Sequence, residues 1–392
     1  MVLRVPILAV ALSCGSAAFA GQAHTPGEEA RPIFRLSVSL IQLDAVVTDR
    51  KGQHVTDLGP DDFEVLQDGK PQRVTAAVYV KIDDFAPTSP MRGQSRASTP
   101  SRSPRVEDAR RTIAVVVDDL RMSFTSIYYT RRALRRFVAE DLRPDDLAGV
   151  TMTSGAHGLP ESLTFRRAEL GAIVGRISFN LSSQPWSAGD GDDWITGGAD
   201  WERVASPPRV DRFIEWARAT DALSRIADVI NTVQVLPGRK AIVLMSEGFS
   251  IAGLDAEGGL LRDALRRLVD RANRAGVVIY AVDPRGLVNP SYPSADQRAP
   301  VRFSSFALSA SQDGLHFIAG ETGGFAVVNA NDLHRGLVRI MNDQRGYYLI
   351  GYEPDADTFG VSSRDYRNLR VKVKRKGLKV RARRGFYAVP TQ

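Results

Sequence analysis

Two hydrophobic periods take turns along the chain, and their order predicts its architecture. Residues 34–40 alternate apolar and polar, the period of a half-buried strand. Residues 43–48 form a second apolar stretch, followed by a turn at Asp49-Arg50-Lys51-Gly52. A strand then begins at Asp61-Asp62-Phe63, Asp68-Gly69 is a hairpin signal, and residues 74–80 complete a small antiparallel set. From Thr112 the pattern changes. Ile113, Ala114, Val115, Val116 and Val117 are apolar without interruption, as in a strand buried on both faces of a parallel sheet. Similar runs recur at 147–153, 240–245 and 277–282. Between and after them come helical patterns near 124–138, 168–177, 211–235, 260–275, 304–320 and 331–344, with short strand candidates at 163–165 and 325–328. The tail returns to period two at 347–352, 370–374 and 379–383, with Lys376-Gly377 between the last two reading as a hairpin turn.

Alternating strands and helices predict an α/β fold with a doubly wound, mainly parallel sheet over 109–345. The β-rich ends predict a second unit. Residues 32–81 and 346–390 are expected to make one antiparallel, β-sandwich-like module, with the wound domain inserted between its halves. Residues 82–108, rich in Pro, Ser, Arg and Thr, read as the linker between them. The polar stretch 180–209, carrying Trp194 and Trp201, is long for a connection inside a compact domain.

At 392 residues, with 43% hydrophobic and 25% charged content, the chain can build such cores without staples. Arg4, a short apolar run from Val5 to Leu12 and Ala18-Phe19-Ala20 read as a signal peptide over 1–20, cut before Gly21 and implying export. An alternative processing site, Ala11-Leu12-Ser13-Cys14, would place a lipid on Cys14. Cys14 is the only cysteine, which excludes a disulfide-built scaffold. The net charge of +7 drops by one when Arg4 leaves with the leader. In an exported protein that balance points away from nucleic acid, toward general solubility or anionic envelope surfaces. The basic residues of the 364–384 segment are expected on one strand face, which fits either an anionic surface or a solvated edge that discourages pairing.

The acids after Val117 give the first candidate chemistry. Asp118 and Asp119 stand at the carboxyl end of a central strand, where open α/β sheets place their binding sites. Asp119-x-Arg121-x-Ser123 resembles the Asp-x-Ser-x-Ser loop of the von Willebrand factor type A domain, with arginine in place of the first serine. Ser246-Glu247-Gly248 stands where that family has Thr-Asp-Gly, and Glu321-Thr322-Gly323-Gly324 is similar to its helix-to-strand turn. Gly59-Pro60-Asp61-Asp62-Phe63 and Asp68-Gly69-Lys70-Pro71-Gln72 resemble the β region that precedes the A-type domain in bacterial exported VWFA-related proteins. The resemblance implies a binding protein that offers the carboxyl edge of its sheet to a protein partner, in adhesion or envelope assembly. It also implies a Mg²⁺ or other divalent site built from Asp119, Ser123, Thr196 and Glu247. Arg121 works against that site, because a guanidinium beside a dication costs several kcal/mol. Two arrangements fit: a retained metal, or a remnant in which Arg121 and backbone N–H groups answer the acids. In the second, Arg121 is expected to bind an acidic side chain of the partner directly, with Asp118, Trp194 and Trp201 as further contacts.

Catalytic motifs are missing: no His-Glu-x-x-His, no Gly-x-Ser-x-Gly and no phosphate-binding Gly-x-x-x-x-Gly-Lys occurs. The expectation is therefore a non-enzyme with no catalytic residue. The competing possibility is an exported hydrolase using Ser246 and the acidic strand-end loops.

Overall fold

A computed structural model describes residues 40–82, 105–155, 159–180, 209–251, 256–287, 305–355, 358 and 366–388. The signal peptide, Cys14, the strand expected at 34–40, most of the linker, and Thr196, Trp194 and Trp201 lie outside the described residues. No described helix is long and apolar enough to cross a membrane.

Strands β1 (Ile41–Thr48), β2 (Phe63–Gln67) and β3 (Lys70–Lys81) come first. Asp68 and Gly69 both take positive φ between β2 and β3, the two-residue hairpin turn that Asp-Gly favours. The wound region runs β4 (Arg111–Val117), α1 (Phe124–Glu140), β5 (Asp146–Met152), α2 (Leu159–Ser162), α3 (Arg167–Arg176), α4 (Arg209–Val233), β6 (Arg239–Met245), α5 (Ala256–Arg274), β7 (Val277–Val282), α6 (Ser305–Glu321), β8 (Ala326–Val327) and α7 (Leu333–Asp343). Strands β9 (Gly346–Glu353), β10 (Tyr366–Val373), β11 (Lys379–Ala382) and β12 (Gly385–Tyr387) close the chain.

The wound sheet has the order β5-β4-β6-β7-β8, all parallel, so the fold is α/β with helices on both faces. One core packs α1, α3 and α7 on one face, around Leu134, Phe137 and Leu337. The other packs α4, α5 and α6 on the opposite face, around Ile226, Leu265 and Leu315. The edge strand expected at 163–165 is reduced to one antiparallel bridge, Thr164 to Ala148.

The other strands form a separate antiparallel sheet in the order β11-β1-β9-β3-β2-β10-β12, drawing on both ends of the chain. The expected sandwich of two facing sheets is instead one curled sheet around a single core that includes Leu43, Phe63, Val65, Tyr348 and Ile350. Curling is required by connectivity. β10 and β11 stand near opposite ends of the order, yet a short turn at 374–378 joins them. The expected hairpin between them is also corrected: β10 pairs with β2 and β12, β11 pairs with β1, and no register joins the two to each other. Side chains beyond the turn hold β11 away. Arg383 donates to Asn273 O and Gln42 O, and Arg381 pairs with Asp343 at the end of α7.

Contacts between the sheets gather at the amino ends of the parallel strands. Arg239, opening β6, stacks over the Tyr347 ring at 4.4 Å and donates to Gln344, while Ile82 N–H reaches Arg345 O. The carboxyl ends of the parallel strands point the other way.

Candidate functional site: the carboxyl ends of the parallel strands

Because the parallel strands pair in register, they end level: Val117 lies opposite Met152 and Met245, and Met245 opposite Val282. One polar residue follows each end, namely Asp118, Thr153, Ser246 and Asp283, and the backbone ladder extends through them. Asp118 N–H reaches Met245 O, Thr153 N–H reaches Val117 O, Ser246 N–H reaches Val282 O and Asp283 N–H reaches Val327 O. The sheet thus fixes a row of oxygens side by side.

These oxygens answer one another. Ser246 Oγ donates to Asp118 Oδ2 at 2.6 Å and accepts Gly248 N–H at 3.0 Å. Thr153 Oγ1 lies 3.1 Å from both Asp118 Oδ1 and Asp119 Oδ1, although its single proton serves only one of them. Asp119 Oδ1 also accepts Ser154 N–H. Asp118 is 1% exposed and Ser246 0%. Burial, with a small further push from the neighbouring Asp119 charge, lifts the Asp118 carboxyl above the usual carboxylate range, outweighing Arg121 and the two hydroxyls that favour its charged form.

Arg121 lies against the same cluster. Its Nε and Nη2 both donate to Gly248 O, at 3.2 and 3.0 Å, and its Nε is 3.9 Å from Asp118 Oδ2. Gly248 holds φ +82°, and a Cβ there would strike the Ser311 carbonyl, so this loop can offer its oxygen to Arg121 only as glycine. Beyond it, Asp283 is gripped in bidentate fashion by Arg285 at 2.9 and 2.7 Å, and accepts Gln312 Nε2 at 2.8 Å.

Of the residues expected to hold a metal, Thr196 lies outside the described residues, and Asp119, Ser123 and Glu247 are each engaged by protein groups. Glu247 turns aside to accept Ser123 N–H at 2.7 Å, while Ser123 Oγ caps α1 by accepting Ser126 N–H. Asp119 faces Thr153 and Ser154. No group of three His, Cys, Asp or Glu able to hold a metal occurs among the described residues. Magnesium requires an octahedron of oxygens, whereas here a guanidinium stands beside the central carboxylate and hydroxyls occupy its lone pairs. The described members of the donor set are thus occupied by protein contacts rather than arranged around a common centre.

Of the partner contacts expected at the lip, Trp194 and Trp201 lie outside the described residues. Asp118 is sealed, and the Arg121 side chain, 10% exposed, donates to Gly248 O. Thr153, Asp283, Arg285 and Gln312 were missed in the sequence as members of this cluster. Their one visible signal is that Thr153, Asp283 and Arg285 immediately follow, or lie just beyond, a mainly apolar strand run.

Among the described residues, the rim exposes the start of α1. Phe124 and Tyr128 are 62% and 56% exposed, one helical turn apart, and Tyr129 stands beside them. The Phe124 ring meets Phe179 edge-on at 6.0 Å. Arg131 and Arg135 continue the Phe124–Tyr128 stripe, with Arg132 alongside; among the described residues none of the three has a carboxylate within 4 Å.

No family model matches the sequence, and no curated protein matches it. Among solved structures the chain is similar to an aerotolerance-related membrane protein from Bacteroides fragilis NCTC 9343 carrying multiple mutations to serines. The identity is 13%, the match covers 59% of this chain and 98% of that one, and the TM-score is 0.32. A likeness of that size says nothing about the site.

Proposed function

We propose that the chain is a non-catalytic, exported binding module of the von Willebrand A type. In this account its strand-end site is a metal-independent structural lock, and its partner is a protein carrying acidic side chains. The observation that supports this is the contrast at the rim: the acids are internally bonded and sealed, while Phe124, Tyr128 and Tyr129 stand exposed next to Arg131, Arg132 and Arg135. Aromatic side chains and arginines are the residues that most often carry interface energy, and the arginines suit carboxylates. Recognition of an acidic partner then falls to the α1 arginines rather than to Arg121.

The hydrolase alternative finds less support. Asp118 is within hydrogen-bond reach of Ser246, but the serine is fully buried and its hydroxyl is held between Asp118 and Gly248 N–H. No face of it is open to an acyl group.

The test is capture of a partner from envelope fractions by the mature protein, repeated in EDTA and with two variants. The variants are Phe124→Ser/Tyr128→Ser and Arg131→Glu/Arg135→Glu. The expected result is an acidic partner retained in EDTA and lost from both variants. Capture abolished by EDTA, or unchanged in the variants, would contradict the proposal.

A further inference from the structure

The exposed start of α1 is one wall of a crevice whose other wall is α3. The two helices run antiparallel: Phe179, just past α3, meets Phe124 at the start of α1, and Arg167 at the start of α3 donates to Ala139 O and Leu142 O at the end of α1. Tyr128, Arg131 and Arg135 follow Phe124 at helical steps of four, three and four residues, so all four share the flank that borders α3. The opposite flank of α1 is taken by α7, whose His334 meets Asp141 at 2.7 Å. On α3, Gly171 and Gly175 follow Arg167 at one and two turns, on the flank from which Arg167 reaches α1. Gly171 is half-buried and Gly175 exposed, and a Cβ at either would meet nothing within 4 Å. One wall of the crevice is therefore bare backbone, and the other an aromatic-then-cationic stripe about 16 Å long.

These walls discriminate between forms of an acidic partner. An extended peptide brings unpaired amides and needs a strand edge to satisfy them. Here both walls are helix flanks, whose backbone groups are spent within their own helices. A helical segment arrives with its amides already bonded, and the bare glycines let it approach closely. The order of charge along the stripe then sets its direction. Arg131 and Arg135, with no carboxylate within 4 Å among the described residues, lie beyond the aromatics along α1. Carboxylates are favoured in the first turns of a helix, so the amino end of the bound helix belongs over these arginines.

We infer that the acidic partner docks in this crevice through one amphipathic helix, antiparallel to α1. Acids in its first two turns meet Arg131 and Arg135, and apolar residues in the following turns meet Phe124 and Tyr128. The inference rests on the rim reading above and adds to it the form, direction and seat of the bound segment.

Fluorescence anisotropy of the mature protein with three labelled peptides tests it. The first is a stapled helix with glutamates in its first two turns and leucines in its last two; the second has the same composition in reverse order; the third is the first sequence unstapled, with a central proline. The first is expected to bind about tenfold or more tighter than either of the others. Arg131→Glu/Arg135→Glu is expected to weaken it about tenfold or more. Gly171→Leu/Gly175→Leu is expected to do the same by filling the crevice, while melting no earlier than the parent, because leucine favours a helix and both positions have free space. Gly175→Leu alone, at an exposed position, carries the test if the pair melts early. Equal affinity for the three peptides, full affinity in the glycine variants, or arginine-dependent flotation with phosphatidylglycerol vesicles in place of peptide binding would overturn the inference. An envelope partner lost from Arg131→Glu/Arg135→Glu but retained by the glycine variants would overturn the crevice and leave the rim reading standing.

Discussion

Asp118 decides the chemistry of the rim. Its Oδ1 and the Asp119 Oδ1 both face the Thr153 hydroxyl, which can donate to only one of them. The conflict disappears if Asp118 is protonated, since it then donates to Thr153, and Thr153 donates to Asp119. The upward shift of the Asp118 carboxyl agrees with that arrangement. The folded-state value lies above the unfolded one, so the contribution is full at pH below the ordinary carboxylate range and is lost as pH rises through the folded-state value. Asparagine at this position would reproduce the protonated network at every pH, with its carbonyl accepting from Ser246 and its amide donating to Thr153. Asp118→Asn is therefore expected to stay within about 1 kcal/mol of the parent near neutral pH and to flatten the fall of its melting midpoint with rising pH. Asp118→Ala, which orphans Ser246 and Thr153, is expected to cost about 1–3 kcal/mol. Thermal melts across the pH range read both effects. An Asn variant as unstable as Ala would show that the charge itself is required.

At the level of elements, the parallel sheet is pinned at its amino end as firmly as at its carboxyl end. Arg111 opens β4 directly opposite Asp146 on β5, and the two form a buried bidentate pair at 2.7 and 2.6 Å. Asp146→Ala leaves that guanidinium buried and uncompensated, with an expected loss of about 3–5 kcal/mol in denaturant unfolding. A loss under about 1 kcal/mol would mean water reaches Arg111. Elements of this kind were legible in the sequence, because residues 113–117 are apolar at every position and few other structures tolerate that. The antiparallel tail was legible only in part. Alternation at 370–374 and 379–383 tells which face of each strand meets the core, but says nothing about which neighbour each strand takes. The rim shows the same limit. Sequence places Asp118, Arg121 and Ser246 near strand ends, but Arg121 turning back onto Gly248 depends on the approach of a loop more than a hundred residues distant.

On the scale of the whole molecule, the curled sheet covers the amino ends of the parallel strands, while at their carboxyl ends Asp118, Thr153, Ser246 and Asp283 are buried and Phe124, Tyr128 and Tyr129 of α1 stand exposed. The α/β sheet with helices on both faces is as the sequence predicts, and in the proposed reading Arg121 and the hydroxyls of Ser246 and Thr153 take the place of a metal at the strand ends. That replacement is the centre of the account, and calorimetric titration of the mature protein with Mg²⁺, Mn²⁺ and Ca²⁺ tests it most directly. The account predicts no saturable heat for any of the three ions, in the parent and in Asp118→Asn alike. A one-site isotherm in the parent that disappears in Asp118→Asn would contradict it.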